Sequence, residues 1–522
     1  MGGLGSGSEA TRAALAWGPL LWVAAVRLAV PAASTLFAPI GYTPDELYYL
    51  ACADHLEWGY VDHPPLSIAV LAAIRLVLGD SLLALRAVPA LCEALAVVVT
   101  ASLARELGGG RQAQLVAALA MAAAPIALAI GLPYSMNPIE HLLWPLAALV
   151  LARIQNGADA KWWLALGLLL GIALENKLST LWLGVGLAVG LSVSPARAWL
   201  GTRWPWLAGG IAVAILAPHI AWQAANEWPT LEFVRNNAVG REGIDGAVVM
   251  RSPWTFAVSQ LAVMGPLAAP LWLLGLMHLL RAPALRDHRV LGWTFAVVFA
   301  LLALSGRASI YYLVGAFPIV FAAGGVAVEQ LARKRAPRLP AAVCTALILQ
   351  TLVLAPLLVP VVDADRYLTV ARSVRRLVGA EADAASLPPT YQWMLGGPEL
   401  TEAVAGVAGT LSESERRRVG VLATTFGEAG ALTHFGPGAG LPPVIGTHNS
   451  FWLWGTRGLD GSVLIVVADP ESPVLEHFAS CRLAARVHCP HCEPYLRARP
   501  VFVCREPARP LPELWAKLKD FV

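Results

Sequence analysis

Residues 65–79, PLSIAVLAAIRLVLG, decide how this chain is threaded. The stretch is apolar, but it opens on Pro65, carries Arg75 and is shorter than the roughly 20 residues that cross a bilayer. If it spans, every later loop changes sides. Basic residues arbitrate, because loops rich in Lys and Arg stay in the cytoplasm. With 65–79 kept outside as a juxtamembrane helix, the cytoplasmic loops collect Arg105/Arg111, Arg153/Lys161, Arg197/Arg203, Arg281/Arg286/Arg289 and Arg333/Lys334/Arg335/Arg338. The opposite loops then hold most of the acids, so parity and charge agree.

Working outward, apolar segments near 14–38, 84–104, 112–132, 138–153, 162–176, 178–193, 206–222, 254–280, 290–304, 311–328 and 340–361 predict about eleven spans. The expected fold is a polytopic α-helical membrane protein with a smaller C-terminal extracytoplasmic α/β domain. Residues 1–13 read as a disordered cytoplasmic N-terminus, 14–362 as the membrane domain with a first extracytoplasmic loop at 39–83, and 363–522 as the α/β domain, from its short apolar runs VGVLAT, VLIVVAD and VFVC. The apolar stretch after the Gly/Ser-rich start is too long for a signal-peptide core and reads as a retained anchor in the inner or plasma membrane.

Composition agrees. Of 522 residues, 57% are hydrophobic and 14% charged, with a mean hydropathy of +0.60, whereas soluble proteins carry roughly 25% charged residues. A net charge of +3 without a basic, aromatic-studded stripe argues against nucleic acid as a partner. Many of the 19 Trp residues lie near span ends, where an interfacial belt would place them, and core packing accounts for some equally well. Cys481, Cys489, Cys492 and Cys504 cluster in the tail and predict structural disulfides of open pairing. Cys489-Pro490-His491-Cys492 also has thiol-oxidoreductase spacing, and zinc held with His488 or His491 is a further alternative.

Under this threading, four polar groups reach one side: YTPDELYYLACADHLEWGYVDHPPL (42–66), PYSMNPIEH (133–141), ENK (175–177) and SGRASIYY (305–312). Charges at a membrane boundary are costly unless they bind or transform something. Asp45 and Glu46 suit a general base toward an acceptor, with Tyr49 one turn from Asp45 on a shared face. The bland alternative makes Asp45 the cap of a helix that starts near Pro44. Asp62 and His63 fit phosphate binding or, with a ligand such as Glu57, a divalent metal; no cofactor is required outright. Glu140, after Asn137-Pro138, either does chemistry or ends a loop in solvent. Lys177 either pairs internally with Glu175 or meets a lipid phosphate. Arg86 and Arg307 are further anion-binding candidates, with Tyr311 and Tyr312 beside the latter, whereas Arg27 and Glu93 read as structural hydrogen-bonding groups within spans. His434, His448, Asn449 and Trp454 in the tail either touch an acceptor or serve the fold.

The order DELYY, DHPPL, YSMNPIE and a Lys-bearing paired hairpin resembles bacterial relatives of the protein O-mannosyltransferases and lipid A aminoarabinose transferases, C-type multi-span glycosyltransferases of the glycosyltransferase 39 group. HIAWQAANEWPTLEF, SIYYLVGAFPIVFAAGGVAVE and FGEAGALTHFGPGAGLPPVIGTHNSFWLWG carry the likeness along nearly the whole chain. The resemblance implies inverting transfer of a sugar from a polyprenyl-phosphate donor to a glycan, lipid or protein acceptor on the extracytoplasmic face. It puts Asp45 on the first-loop acid regarded as catalytic, with Glu46 beside it, and Glu140 on the second-loop acid position, where relatives commonly have Asp. It puts His63 where the aminoarabinose transferases have Lys, which weakens the phosphate role because His is mostly neutral at pH 7. Donor phosphate is then expected at His63, Arg86, Lys177 and Arg307, and substrate-lining roles at Tyr49, Asp62, Asn137 and Tyr311. Competing readings are a lipid-linked-sugar flippase or transporter, or a membrane-anchored glycan-binding protein; polar groups gathered in loops favour surface chemistry over a mid-bilayer pathway.

Overall fold

Among the described helices long and apolar enough to span, the one formed by FPIVFAAGGVAVEQLARK is the most enclosed, and its run of small residues explains why. Lipid gives helices no hydrophobic reason to associate, so close packing across small side chains does the work. In the computed structural model, residues 13–38, 40–239, 249–250, 252–377, 381 and 386–522 are described; the expectation for the N-terminal tail therefore lies almost wholly outside them. The helices through the apolar part are α1 (Trp17–Phe37), α2 (Pro44–Ala53), α3 (Leu66–Leu78), α4 (Leu82–Glu106), α5 (Arg111–Ala122), α6 (Pro125–Ile130), α7 (Met136–Gln155), α8 (Trp162–Asn176), α9 (Thr180–Val193), α10 (Trp204–Ala225), α11 (Pro229–Val239), α12 (Pro253–Val263), α13 (Ala269–Arg281), α14 (Arg289–Ser305), α15 (Phe317–Lys334), α16 (Leu339–Leu358) and α17 (Ala364–Leu377).

The chain divides into two compact units. One comprises Met1–Ala32, Arg86–Ala221 and Asp245–Val359, the other Ala33–Leu85, Trp222–Ile244 and Pro360–Val522. This partition departs from the contiguous domains expected at 14–362 and 363–522: the first loop, with Trp222–Ile244, folds with the tail.

In the first unit, α15 packs against α13 and α5. A Cβ added at Gly275 of α13 would strike the Val320 carbonyl oxygen, and one at Gly324 the Leu271 carbonyl oxygen. Trp272, Phe295, Phe317 and Phe321 fill the neighbouring core. Among the described residues, six helices are long and apolar enough to span, or seven if the pair Thr180–Val193 and Pro195–Gly201, bent by 101°, counts as one. Two of the expected spans are broken. The 112–132 segment divides before Pro125. The 254–280 segment breaks at Gly265, whose φ of +90° favours glycine, and there Gln350 Oε1 accepts the Leu267 N–H at 2.9 Å. A two-residue ribbon, β1 (Val249–Met250) with β2 (Ala308–Ser309), is antiparallel.

The second unit is built on a five-stranded sheet of β3 (Gly420–Ala423), β4 (Val444–Gly446), β5 (Val463–Val467), β6 (Phe478–Arg486) and β7 (Pro500–Pro507), in the order β4-β3-β5-β7-β6. β3 runs parallel to β4 and β5, and β7 antiparallel to β5 and β6. The apolar runs of the tail thus become buried strands. Disulfides join Cys481 to Cys504, register partners on β6 and β7, and Cys489 to Cys492. The latter pair lies in turns between the two strands, without the helix start that an oxidoreductase motif needs.

Two glycines of the FGEAGAL string dock the first loop. A Cβ at Gly427 would lie 2.8 Å from Pro44 Cβ, and one at Gly430 2.9 Å from the Leu47 carbonyl carbon, so the helix Phe426–Phe435 takes α2 against its bare face. Gly430→Val is expected to destabilise this unit by about 1–3 kcal/mol through overpacking. Gly406→Ala, into open space, should leave the melting temperature unchanged or raised. Thermal unfolding of the purified protein compares the two.

Candidate functional site

Among the described residues, each unit gathers some of the candidate side chains into a polar cluster. In the second unit, Thr43 accepts the Glu46 backbone N–H while the Glu46 carboxylate accepts the Thr43 N–H at 2.9 Å, a capping box that opens α2. The cap is therefore Thr43 with Glu46, not Asp45. Glu46 is fully buried in that role. Asp45 is solvent-accessible, yet desolvation by surrounding protein, with the Asp62 and Glu46 carboxylates adding to it, pushes its carboxyl up to about 6.

Behind it, the Tyr48 hydroxyl donates to Asp62 at 2.8 Å and shares a 2.7 Å hydrogen bond with the Ser450 hydroxyl. His63 is buried, its ring centroid 4.7 Å from Tyr49, 4.9 Å from Tyr60 and 5.9 Å from Tyr48. Its Nδ1 meets the Pro64 carbonyl at 3.1 Å, and its Nε2 lies 4.0 Å from Asp62. Tyr49 is buried as well. The later strings serve this loop: Trp222 Nε1 donates to Glu57 at 2.6 Å, and Ser450 Oγ accepts the Val61 N–H at 3.2 Å.

Among the described residues, no three His, Cys, Asp or Glu side chains group as a metal site would need, so Asp62 and His63 lack a third ligand there. Of the tail candidates, His448 serves the fold: Nδ1 accepts the Phe426 N–H at 3.1 Å and Nε2 meets the Val522 carbonyl at 2.8 Å. Trp454 stacks on His55 at 4.2 Å and His434 lies 4.8 Å from the Tyr42 ring. Asn449 takes a strained backbone, with φ +48°.

In the first unit, three of the four expected polar groups meet around Lys177. Lys177 caps the C-terminus of α8 in extended conformation. Its ammonium donates to Asn137 Oδ1 at 2.8 Å and to Glu140 Oε2 at 3.0 Å, and sits 5.4 and 5.1 Å from the ring centroids of Tyr311 and Tyr312. Ser179 Oγ donates to the other Glu140 oxygen. Pairing with Glu175 does not form, because residues two apart on a helix do not face each other; Glu175 Oε1 is buried without a hydrogen-bond partner. Glu140 is itself buried rather than solvated at a loop end. Arg86 is buried in the first turn of α4, and Arg307 is exposed just after the left-handed Gly306. Arg27 and Glu93 are structural as expected: Arg27 Nη2 donates to Glu93 at 3.1 Å and to the Ala127 carbonyl at 2.6 Å, and His141 Nδ1 meets Glu93 at 2.6 Å.

Sequence reasoning left out Ser179, Tyr48, Ser450 and Glu493. The first three stand inside or beside quoted strings, but their partners are remote in sequence. Glu493 lines a cavity of about 20 Å³ with Tyr42, Pro44, Trp393 and Tyr495. Burial pushes its carboxyl up to about 7 against a hydrogen bond with Trp393, and the charge of Asp45 adds to the rise.

The sequence model of the dolichyl-phosphate-mannose-protein mannosyltransferase family matches residues 62–222. Among solved structures, ArnT from Cupriavidus metallidurans in the apo state is similar over 93% of this chain and 97% of its own, at 16% identity and a TM-score of 0.63. ArnT from the same organism bound to undecaprenyl phosphate is similar over 94% and 98%, at 17% identity and a TM-score of 0.58. The chain thus has the fold seen in ArnT, and over residues 62–222 it resembles the group to which its motifs pointed. No curated protein matches the chain in sequence.

Removing Glu140 strands a buried ammonium. Glu140→Ala is expected to cost about 3–5 kcal/mol, and Glu140→Leu combined with Lys177→Met to recover most of it. Thermal unfolding of the single and double variants in one detergent measures both.

Proposed function

We propose that the chain is a membrane glycosyltransferase moving a sugar, with inversion, from a polyprenyl-phosphate donor to an acceptor on the extracytoplasmic face. The family match and the ArnT fold support the class. The observation that carries the reading is Lys177: an ammonium built into apolar surroundings from three separate segments, with two of its three N–H bonds used by Asn137 and Glu140. The third is available to a phosphate oxygen. Its side chain is 8% exposed, and in so dry a place a positive charge gains far more from an anion than it would in water.

The chemistry has two demands. The acceptor loses a proton as its oxygen or nitrogen attacks the anomeric carbon, and the bond from that carbon to the lipid phosphate breaks with both electrons leaving on the phosphate. Asp45 takes the proton; it is not occupied by the helix cap, and a carboxyl near 6 is a stronger base than an ordinary Asp while still ionised at neutral pH. Lys177, with the exposed Arg307, stabilises the departing polyprenyl phosphate. Glu140 and Asn137 hold the ammonium, and Tyr48 and His63 fix Asp62 beside the base.

The test is transfer of label from radiolabelled polyprenyl-phosphate sugars by membranes containing the protein. Asp45→Asn is expected to lower transfer at least about 100-fold while membrane insertion survives; turnover at the wild-type rate refutes the assignment. Lys177→Ala should raise KM for the donor more than for the acceptor, and an equal rise for both contradicts a phosphate role. Because a base works only when deprotonated, the wild-type rate should fall as pH drops through about 6, where an unperturbed Asp would hold its activity to about 4. A flat profile between these limits excludes Asp45 as the base.

A further inference from the structure

Helix α17, ADRYLTVARSVRRL, has three distinct faces. Leu368 is buried and the Tyr367 ring lies 4.9 Å from Tyr391, so the arc of Tyr367, Leu368 and Ala371 packs on its own unit. The adjoining stripe, Val370, Val374 and Leu377 at helical spacing, is 61%, 53% and 87% exposed. The remaining arc is polar, with Asp365, Thr369, Arg372, Ser373 and Arg376. Arg366 borders the stripe and pairs with Asp363 at 3.1 Å.

An apolar stripe left open in water is unfavourable by roughly 25 cal/mol per Å², and the position of α17 in the chain says what covers it. Only residues 359–363 separate it from α16, one of the helices long and apolar enough to span. Five residues reach at most about 20 Å, which keeps the start of α17 close enough to that end of α16 to reach the headgroup region. Four arginines against one acid within 14 residues suit a negatively charged surface.

We propose that α17 lies in the headgroup layer of the bilayer, with Val370, Val374 and Leu377 in the acyl boundary and Arg366 and Arg376, on the flank of that stripe, on anionic phospholipid headgroups. This placement depends on α16 crossing the membrane and not on the transferase reading. It makes the start of the tail a membrane-bound element whose occupancy responds to lipid charge.

The test uses the full chain with Cys344→Ser, which removes the half-buried free thiol and leaves Cys52 and Cys92 buried. An environment-sensitive fluorophore is attached at Val374→Cys or, separately, at Ser373→Cys, in nanodiscs of phosphatidylcholine with or without phosphatidylglycerol. Headgroup-proximal nitroxide lipids should quench the label at 374 roughly threefold more than at 373. Removing phosphatidylglycerol should weaken that quenching, and Arg366→Gln with Arg376→Gln should abolish the dependence on lipid charge, each arginine contributing about fivefold to binding. Equal quenching at both positions, or quenching indifferent to phosphatidylglycerol, overturns the proposal. So does a label at 374 already shielded in detergent and untouched by nitroxide lipids, which would show the stripe covered by protein, such as a second copy of the chain.

Discussion

An ammonium among apolar helices must be compensated, and the first unit is arranged around that requirement. Lys177 ends α8 in an extended conformation, which turns its side chain away from the helix it follows and toward Asn137 and Glu140 on α7. The pair fixes α7 against the end of α8, and the loop with Tyr311 and Tyr312 completes the enclosure with ring faces rather than further charge. Two of the three ammonium N–H bonds are thus taken up by α7 itself.

In the second unit the constraint is steric instead of electrostatic. Helix α2 lies against backbone at Gly427 and Gly430, so its position is set by missing side chains. Tyr48 then reaches both Asp62 and Ser450, which ties the 42–66 loop to the turn after β4 through one hydroxyl. The loop that bears the acids is therefore held against the helix Phe426–Phe435 and against Ser450.

Much of this was legible in the sequence, and the failures have specific causes. Apolar length marked the helices, but not the break at Gly265, which depends on Gln350 from a distant helix. The tail's apolar runs marked its strands, yet the boundary at 363 missed that the first loop belongs with them, because docking onto glycine leaves no apolar signature. Threading and the family resemblance brought Asn137, Glu140, Lys177 and Tyr311 forward as candidates; their pairing could not be read, since Glu175 stands nearer in sequence while Glu140 stands nearer in space. For the disulfides, β-register decided that Cys481 meets Cys504, and register is not visible without the fold.

Asp45 and Glu46 show how adjacent, chemically similar residues are separated by local structure. A capping box needs its acid three residues beyond the cap. With Thr43 at the cap, that position is Glu46, and its carboxylate is consumed by the Thr43 N–H. Asp45, one residue earlier, faces elsewhere on the helix and is left without that duty. The buried Glu46 then acts on it a second time: its charge, with that of Asp62, adds to desolvation in raising the Asp45 carboxyl. The acid that starts the helix thus helps to raise the carboxyl of its neighbour in sequence, Asp45.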